Sequence, residues 1–387
     1  MSDKIINRKV VVFGAGAAGK GLIGLLFAQA GYQITFVDIN ETLVRRLQQA
    51  GRYQVVIHRL DGLRDECTVQ SFRILPAADR QAIAQAMLDA DFVLTAVFAA
   101  NLPDVARTIA LGVQYCRHAD RQIPLHCIAC ENMKDSSSTL GRYVGGHLGP
   151  EDKHYLERVF AFPDCMINRV VPSPSDPLHL ETEDYCEWTV DACEMKGPLP
   201  TTLPFIEWVP NQHARLDRKL MVYNGSHAAC AYFGFQHGHT WIHEAVADPA
   251  VASLVRGTND ELADVVQCVH GFTETEMAGY KRDFWRRCHN QGLRDRIVRI
   301  ARQPVRKLGR QDRLIAPAKL AQGLGLPRDY ILRAIWAALT FQHADDPESL
   351  TLAKKLQQQG WRQTLHHISE LATDDPLLDE LEAMAPG

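Results

Sequence analysis

Lys9-Val-Val-Val-Phe13 runs directly into Gly14-Ala-Gly-Ala-Ala-Gly-Lys-Gly21, and the chain returns through Gln33-Ile-Thr-Phe-Val-Asp38. The first run is short, apolar and rich in β-branched residues, so it reads as a buried strand. Leu22 to Ala30 reads as an apolar helix that Gly31 ends, and Gln33–Asp38 as a second strand. Strand, turn, helix, strand is the opening βαβ unit of a parallel sheet. Within it, Gly14-x-Gly16-x-x-Gly19 supplies three glycines with separate tasks: a tight turn, a close backbone approach to a pyrophosphate, and close helix–strand packing. A pyrophosphate at that helix start meets free N–H groups and a favourable dipole. Asp38 stands 22 residues after Gly16, near the ~20 expected of an acid that binds a ribose 2′-hydroxyl. The predicted cofactor-binding set is Phe13, Gly14, Ala15, Gly16, Gly19, Lys20, Gly21 and Asp38. The cofactor is NAD rather than NADP, because a carboxylate there repels a 2′-phosphate. A plain strand–helix turn with a solvated Asp38 is the alternative; the complete strand–turn–helix–strand context favours the nucleotide.

The pattern continues outward. Leu43 to Ala50 reads as a helix closed by Gly51, and Ala77 to Asp89 as another. Tyr53–His58, Phe92–Val97 and Leu125–Ala129 read as further strands. Arg169-Val-Val and Glu187-Trp-Thr-Val, among Pro172, Pro174 and Pro177, suggest a small sheet of their own. After Pro210 the texture turns helical over 211–300 and 318–387, with a frayed Pro-Gly end at 386–387. The predicted fold is α/β: an N-terminal Rossmann-type dinucleotide-binding domain (1–195), then a mostly α-helical substrate domain (196–387).

Composition agrees. The 387 residues carry a net charge of −4, with 46% apolar and 23% charged residues, which excludes disorder or a fibrous chain and gives no reason to expect nucleic acid. Residues 1–9 lack the apolar core of a secretory signal. The best candidate for a membrane span, Phe92 to Ala100, is nine residues long and includes Thr95, so it reads as a buried strand and not a span. With ten cysteines in no framework spacing, these features together predict a soluble, cytoplasmic, thiol-reduced protein; a monomer or weak homo-oligomer is the expectation.

Hydride transfer at a carbinol needs a proton acceptor, and the second half offers Arg218-Lys-Leu-Met-Val-Tyr-Asn-Gly-Ser-His227. On an α-helix, with Lys219 at zero, Asn224 falls at about 140° and His227 at about 80°. Amine, amide and imidazole then share one face; an ordinary solvated polar stripe fits the same spacing. This segment resembles the Lys-x4-Asn-x2-His signature of the polyol-specific long-chain dehydrogenases, the mannitol dehydrogenase family. The resemblance extends in order through the glycine loop, Ala129-Cys-Glu-Asn-Met133, Lys196-Gly-Pro-Leu-Pro200, Arg302-Gln-Pro-Val-Arg-Lys-Leu308 and Asp312-Arg-Leu-Ile315. It implies metal-independent, NAD-dependent interconversion of D-mannitol 1-phosphate and D-fructose 6-phosphate. Lys219 is then the general acid/base, its pKa lowered by burial and nearby positive charge. Asn224 and Asn132 form an oxyanion hole, and His227 orients substrate hydroxyls. The family's loop commonly carries Asn at the position of Ala17 and Arg at that of Lys20, so one polar contact to the cofactor is expected to be missing.

Residues 302–313 hold five basic residues and one acid, a positive island suited to a sugar phosphate. The resemblance places it on the phosphate side of the pocket, with Arg306 and Lys307 foremost and Arg302 and Arg313 behind. A solvated basic loop is the alternative, and it would go with a relative acting on an unphosphorylated polyol or hexuronate; a non-catalytic NAD-binding module is a further one. Cys127-x-x-Cys130 reads as core packing, and His237, His239 and His243 as surface or supporting residues rather than metal ligands.

Overall fold

The computed structural model describes residues 8–384; the chain end at 386–387 lies outside them. The chain divides after Arg215 into two compact units, later than the boundary expected after residue 195. The strands of the first unit are β1 (Lys9–Phe13), β2 (Gln33–Asp38), β3 (Arg52–His58), β4 (Arg64–Gln70), β5 (Arg73–Pro76), β6 (Phe92–Thr95), β7 (Leu125–Ala129), β8 (Phe160–Ala161), β9 (Cys165–Asn168), β10 (His179–Glu183), β11 (Glu187–Asp191) and β12 (Glu207–Val209). Residues 196–215 stay with this unit because β12 pairs in parallel with β11 and so satisfies its backbone groups there.

The main sheet has the order β5-β2-β1-β6-β7-β8, with every pairing parallel. Its central strands are buried almost throughout, as expected of a sheet covered on both faces. The helices Arg80–Met87 and Leu102–His118 contribute Ile83, Met87, Ile109 and Val113 to the core on one side. Phe27, Trp188 and Leu203 belong to the core on the other. The strand at 52–58 leaves this sheet. It pairs with β10 and β4 in a separate three-stranded sheet, and its alternation, Tyr53 and Val55 buried between exposed Arg52 and Gln54, is that of a one-faced strand. The charged sequence of β4 carries no such signal. The third sheet, β12-β11-β9, includes Glu187-Trp-Thr-Val, whereas β9 ends just before Arg169.

The second unit is helical among the described residues. Its centre is the helix Asn224–Gln236, whose residues Ala228 to Tyr232 are fully buried. The helices Pro249–His270, Ile297–Ala301 and Asp329–Leu339 pack around it. A helix apolar on all sides belongs inside a core. Among the described residues no helix is long and apolar enough to cross a membrane.

Candidate active site

The glycine loop has the geometry its sequence requires. Gly14 has φ +95°, and a Cβ there would lie 2.3 Å from the carbonyl oxygen of Ala96. A Cβ on Gly19 would lie 1.8 Å from that of Gly14. Gly16 has no such neighbour within 4 Å, which leaves its backbone open to a ligand. The Ala15 N–H donates to Asp38 Oδ2 at 2.7 Å and the Asn40 N–H to Oδ1 at 2.8 Å. Asp38 therefore ties the end of β2 to the loop, and each oxygen keeps a second lone pair for a ribose hydroxyl. Phe13 is buried at the end of β1, and Gly21 packs against Val171 and Leu180. The helix begins as a π-turn, Gly19–Gly24, before the α-helical Leu25–Gln29. Lys20 is buried in it, and burial lowers its pKa to about 8 against the opposing pull of Asp38 and Asp176. These groups fit a dinucleotide: an open glycine backbone at a helix start, with an acid at the next strand end.

Asn132 is exposed just beyond β7, at the carboxyl edge of the parallel sheet, where such sheets bind ligands. Its neighbour Glu131, which sequence reasoning passed over, accepts from Thr95 Oγ1 and the Val97 N–H, each at 2.9 Å. It fastens the ends of β6 and β7. A carboxylate closing a buried strand was the available signal.

In the second unit, Arg218–Tyr223 is another π-turn, and the Asn224 N–H donates to the Lys219 carbonyl. That i→i+5 bond sets Asn224 one turn above Lys219, closer than the 140° of a regular α-helix. π-turns inside helices recur at functional sites. From 218 to 234 every residue is buried except Lys219, Leu220 and Asn224, which are half-buried, so amine and amide lie where the helix is open. Neighbouring Arg218 lies over the rings of Phe272 and Tyr280 at 4.7 and 4.4 Å. His227 is buried, with Nε2 3.3 Å from Asp295 Oδ2. Its ring lies 5.5 Å from that of Tyr223, over which Arg287 sits at 3.9 Å. Asp295, also missed, takes Arg299 Nε and Nη2 on Oδ1 at 3.0 and 2.6 Å. Burial acts to raise its pKa, but His227 and Arg299 outweigh it and hold the carboxyl below its ordinary value.

The basic segment divides. Lys307 and Arg313 are buried, while Arg302 and Arg306 are exposed. Lys307 Nζ donates to the Arg302 carbonyl and lies 5.9 Å from the Tyr232 ring centre. Burial, then the Arg313 and Arg306 cations, bring its pKa down to about 7 against Asp312 and Asp346. Arg313 pairs with Asp312 at 2.7 Å. A Cβ on Gly225 would lie 3.0 Å from the Arg313 carbonyl oxygen, so this segment packs on the Asn224–Gln236 helix one residue from Asn224. Of the residues set aside earlier, Cys127 is buried, His237 and His239 both approach Asp248, and His243 stacks on Trp241.

Residues 8–202 match the family model of the mannitol dehydrogenase Rossmann domain, and residues 213–381 that of the mannitol dehydrogenase C-terminal domain. The chain belongs to the mannitol dehydrogenase family. It is therefore an oxidoreductase, and the matched spans contain every candidate residue above. Similar relatives include the mannitol-1-phosphate 5-dehydrogenase of Brevibacillus brevis, 35% identical and aligned over 95% of both chains. That of Halalkalibacterium halodurans is 34% identical over 96% of this chain and 98% of its own. Among solved structures, a D-sorbitol dehydrogenase aligns with TM-score 0.80 at 16% identity, over 98% of this chain and 92% of its own. Pseudomonas fluorescens mannitol 2-dehydrogenase, in complex with NAD and D-mannitol, aligns with TM-score 0.77 at 15% identity, over 97% and 90%. These two share the fold with the family member described above.

Proposed function

We propose that the protein interconverts D-mannitol 1-phosphate and D-fructose 6-phosphate with NAD as cofactor. The observation that carries this reading is the packing of Arg313 against Gly225. That contact is made by the Arg313 backbone carbonyl and, with Lys307 Nζ 5.9 Å from the Tyr232 ring centre, brings the segment that carries the two buried cations onto the same helix that begins with the Lys219–Asn224 turn. The full-length similarity to the two mannitol-1-phosphate 5-dehydrogenases supports it.

When bound, the nicotinamide supplies or accepts the hydride at the carbinol carbon. Phe13 to Gly21 hold the pyrophosphate side of the cofactor, and Asp38 the adenosine ribose. Lys219 removes the carbinol proton during oxidation and returns it during reduction. Asn224 donates its amide to the oxygen whose charge grows as the proton leaves; Asn132 is assigned the same task on the resemblance alone. His227 orients a neighbouring hydroxyl. Lys307 and Arg313 hold the phosphate, with Arg306 at the rim; Arg302 contributes its carbonyl to Lys307. A phosphate dianion favours the charged form of Lys307, so substrate binding draws a proton onto it. The ten free thiols support a reducing, cytoplasmic setting.

The test is NADH oxidation with fructose 6-phosphate, beside fructose, fructuronate and tagaturonate, repeated with NADPH. Fast turnover only with the phosphorylated ketose and NADH is expected. Equal turnover of an unphosphorylated ketose would leave the family chemistry standing and remove residues 302–313 from substrate recognition.

A further inference from the structure

His227 sits in a buried helix, and its Nε2 meets a carboxylate instead of solvent. An ionised carboxylate only accepts hydrogen bonds, so in the neutral ring the proton must be on Nε2 and the lone pair on Nδ1. The carboxylate itself is fixed. Arg299 occupies its other oxygen twice. The backbone on either side is pinned to the stretch before the helix Ile242–Ala247, with the Ile242 N–H donating to the Asp295 carbonyl and the Ile297 N–H to the Thr240 carbonyl, each at 3.0 Å. The segment comes this close because Gly234 carries no side chain; a Cβ there would lie 2.8 Å from Ile297 Cδ1. Tyr223, with Arg287 over its ring, lies beside the imidazole.

From this arrangement we infer that Asp295 is a positioning residue that holds His227 as its Nε2–H tautomer, so that Nδ1 accepts a hydrogen bond from a substrate hydroxyl. The inference rests on the role given to His227 above and adds its polarity: the imidazole is an acceptor toward substrate, not a donor.

Asparagine at position 295 has nearly the shape of aspartate but opposite consequences. Arg299 donates twice to Oδ1, so it claims the amide oxygen and turns the NH2 toward His227. That group donates to Nε2 and forces the proton to Nδ1, where the substrate hydroxyl should bind. Asp295→Ala opens a gap but imposes no tautomer. If Asp295 only fills space or steadies the fold, the isosteric Asp295→Asn is the milder change. If it sets the tautomer, Asp295→Asn is at least as damaging as Asp295→Ala.

The experiment measures steady-state kinetics with fructose 6-phosphate, NADH affinity, and nitrogen-15 imidazole spectra of the full chain, with His227→Gln used to assign the His227 signals. Expected are an Nε2–H signature in the parent protein, an Nδ1–H signature in Asp295→Asn, and kcat/KM down roughly 100-fold, the upper range for loss of an orienting partner. NADH affinity stays unchanged, which reports an intact first unit, and an unchanged helical circular dichroism spectrum and melting temperature report an intact second unit. Asp295→Asn that keeps the Nε2–H signature and parental turnover, while His227→Gln loses activity, overturns the inference and leaves His227 in the reaction. If His227→Gln turns over like the parent, the inference falls together with the role assigned to His227.

Discussion

Replacing Lys307 with methionine should make the protein more stable and a poorer enzyme for phosphorylated substrate. Lys307 is 3% exposed, and its surroundings lower its pKa from the ordinary lysine value of 10.5 to about 7. A displacement of that size corresponds to about 5 kcal/mol of cost to the folded state, at full strength below pH 7 where both states carry the charge. Above pH 7 the folded protein sheds the proton while the unfolded chain keeps it. The unfolded state then binds more protons, stability rises with pH, and the cost fades by about 1.4 kcal/mol per pH unit until pH ~10.5. Methionine of similar length removes the buried charge and fills most of the space. The lost contact with the Arg302 carbonyl and the altered fit offset about 2 kcal/mol. The net gain near pH 6.5 is then about 3 kcal/mol, or roughly 6 to 12 °C in melting temperature for a unit of this size. Calorimetry of the full chain at pH 6.5 and pH 9.5 measures it: the variant melts higher at pH 6.5, and the advantage vanishes or reverses at pH 9.5. On the same preparation, KM for fructose 6-phosphate rises roughly 10- to 100-fold while that for fructose stays put. A melting difference independent of pH, or a variant less stable at both, refutes the account of Lys307 as a buried, costly cation.

Other outcomes follow from the same geometry. In the parent enzyme, KM for fructose 6-phosphate rises as pH climbs from 7 to 9, because Lys307 loses its proton, whereas Lys307→Met flattens that rise; a pH series of initial rates checks both. Lys219→Ala lowers kcat by roughly 10²- to 10⁴-fold, the range for a general acid/base, with NADH affinity by fluorescence titration unchanged. Gly16→Ala leaves the melting temperature within about 2 °C, since no atom lies within 4 Å of the added methyl, but weakens NADH binding. Gly19→Ala destabilises the first unit by several kcal/mol, because its Cβ collides with the Gly14 carbonyl.

The sequence by itself determined the local parts. Strand, glycine turn, helix and strand from Lys9 to Asp38 are written in neighbouring residues, and so is the helical texture after Pro210, because hydrophobic period and glycine placement act over a few residues. Local spacing put Lys219, Asn224 and His227 on one face and showed 302–313 to be basic, but their roles came only from the resemblance to a known family, since a solvated stripe and a solvated loop fit the same residues. What depended on distant partners was not legible. The departure of residues 52–58 into a second sheet depends on pairing with His179–Glu183. The retention of residues 196–215 in the first unit depends on a strand pair formed across a long loop. Only tertiary packing revealed that Lys307 and Arg313 are buried while Arg302 and Arg306 are not, since the basic residues look alike in sequence until their segment packs on the helix that carries Tyr232 and Gly225. Asp295 was invisible for the same reason. An aspartate near an arginine is ordinary in a sequence; its carboxylate gains a task only where a side-chain-free Gly234 lets its segment close on the helix that carries His227.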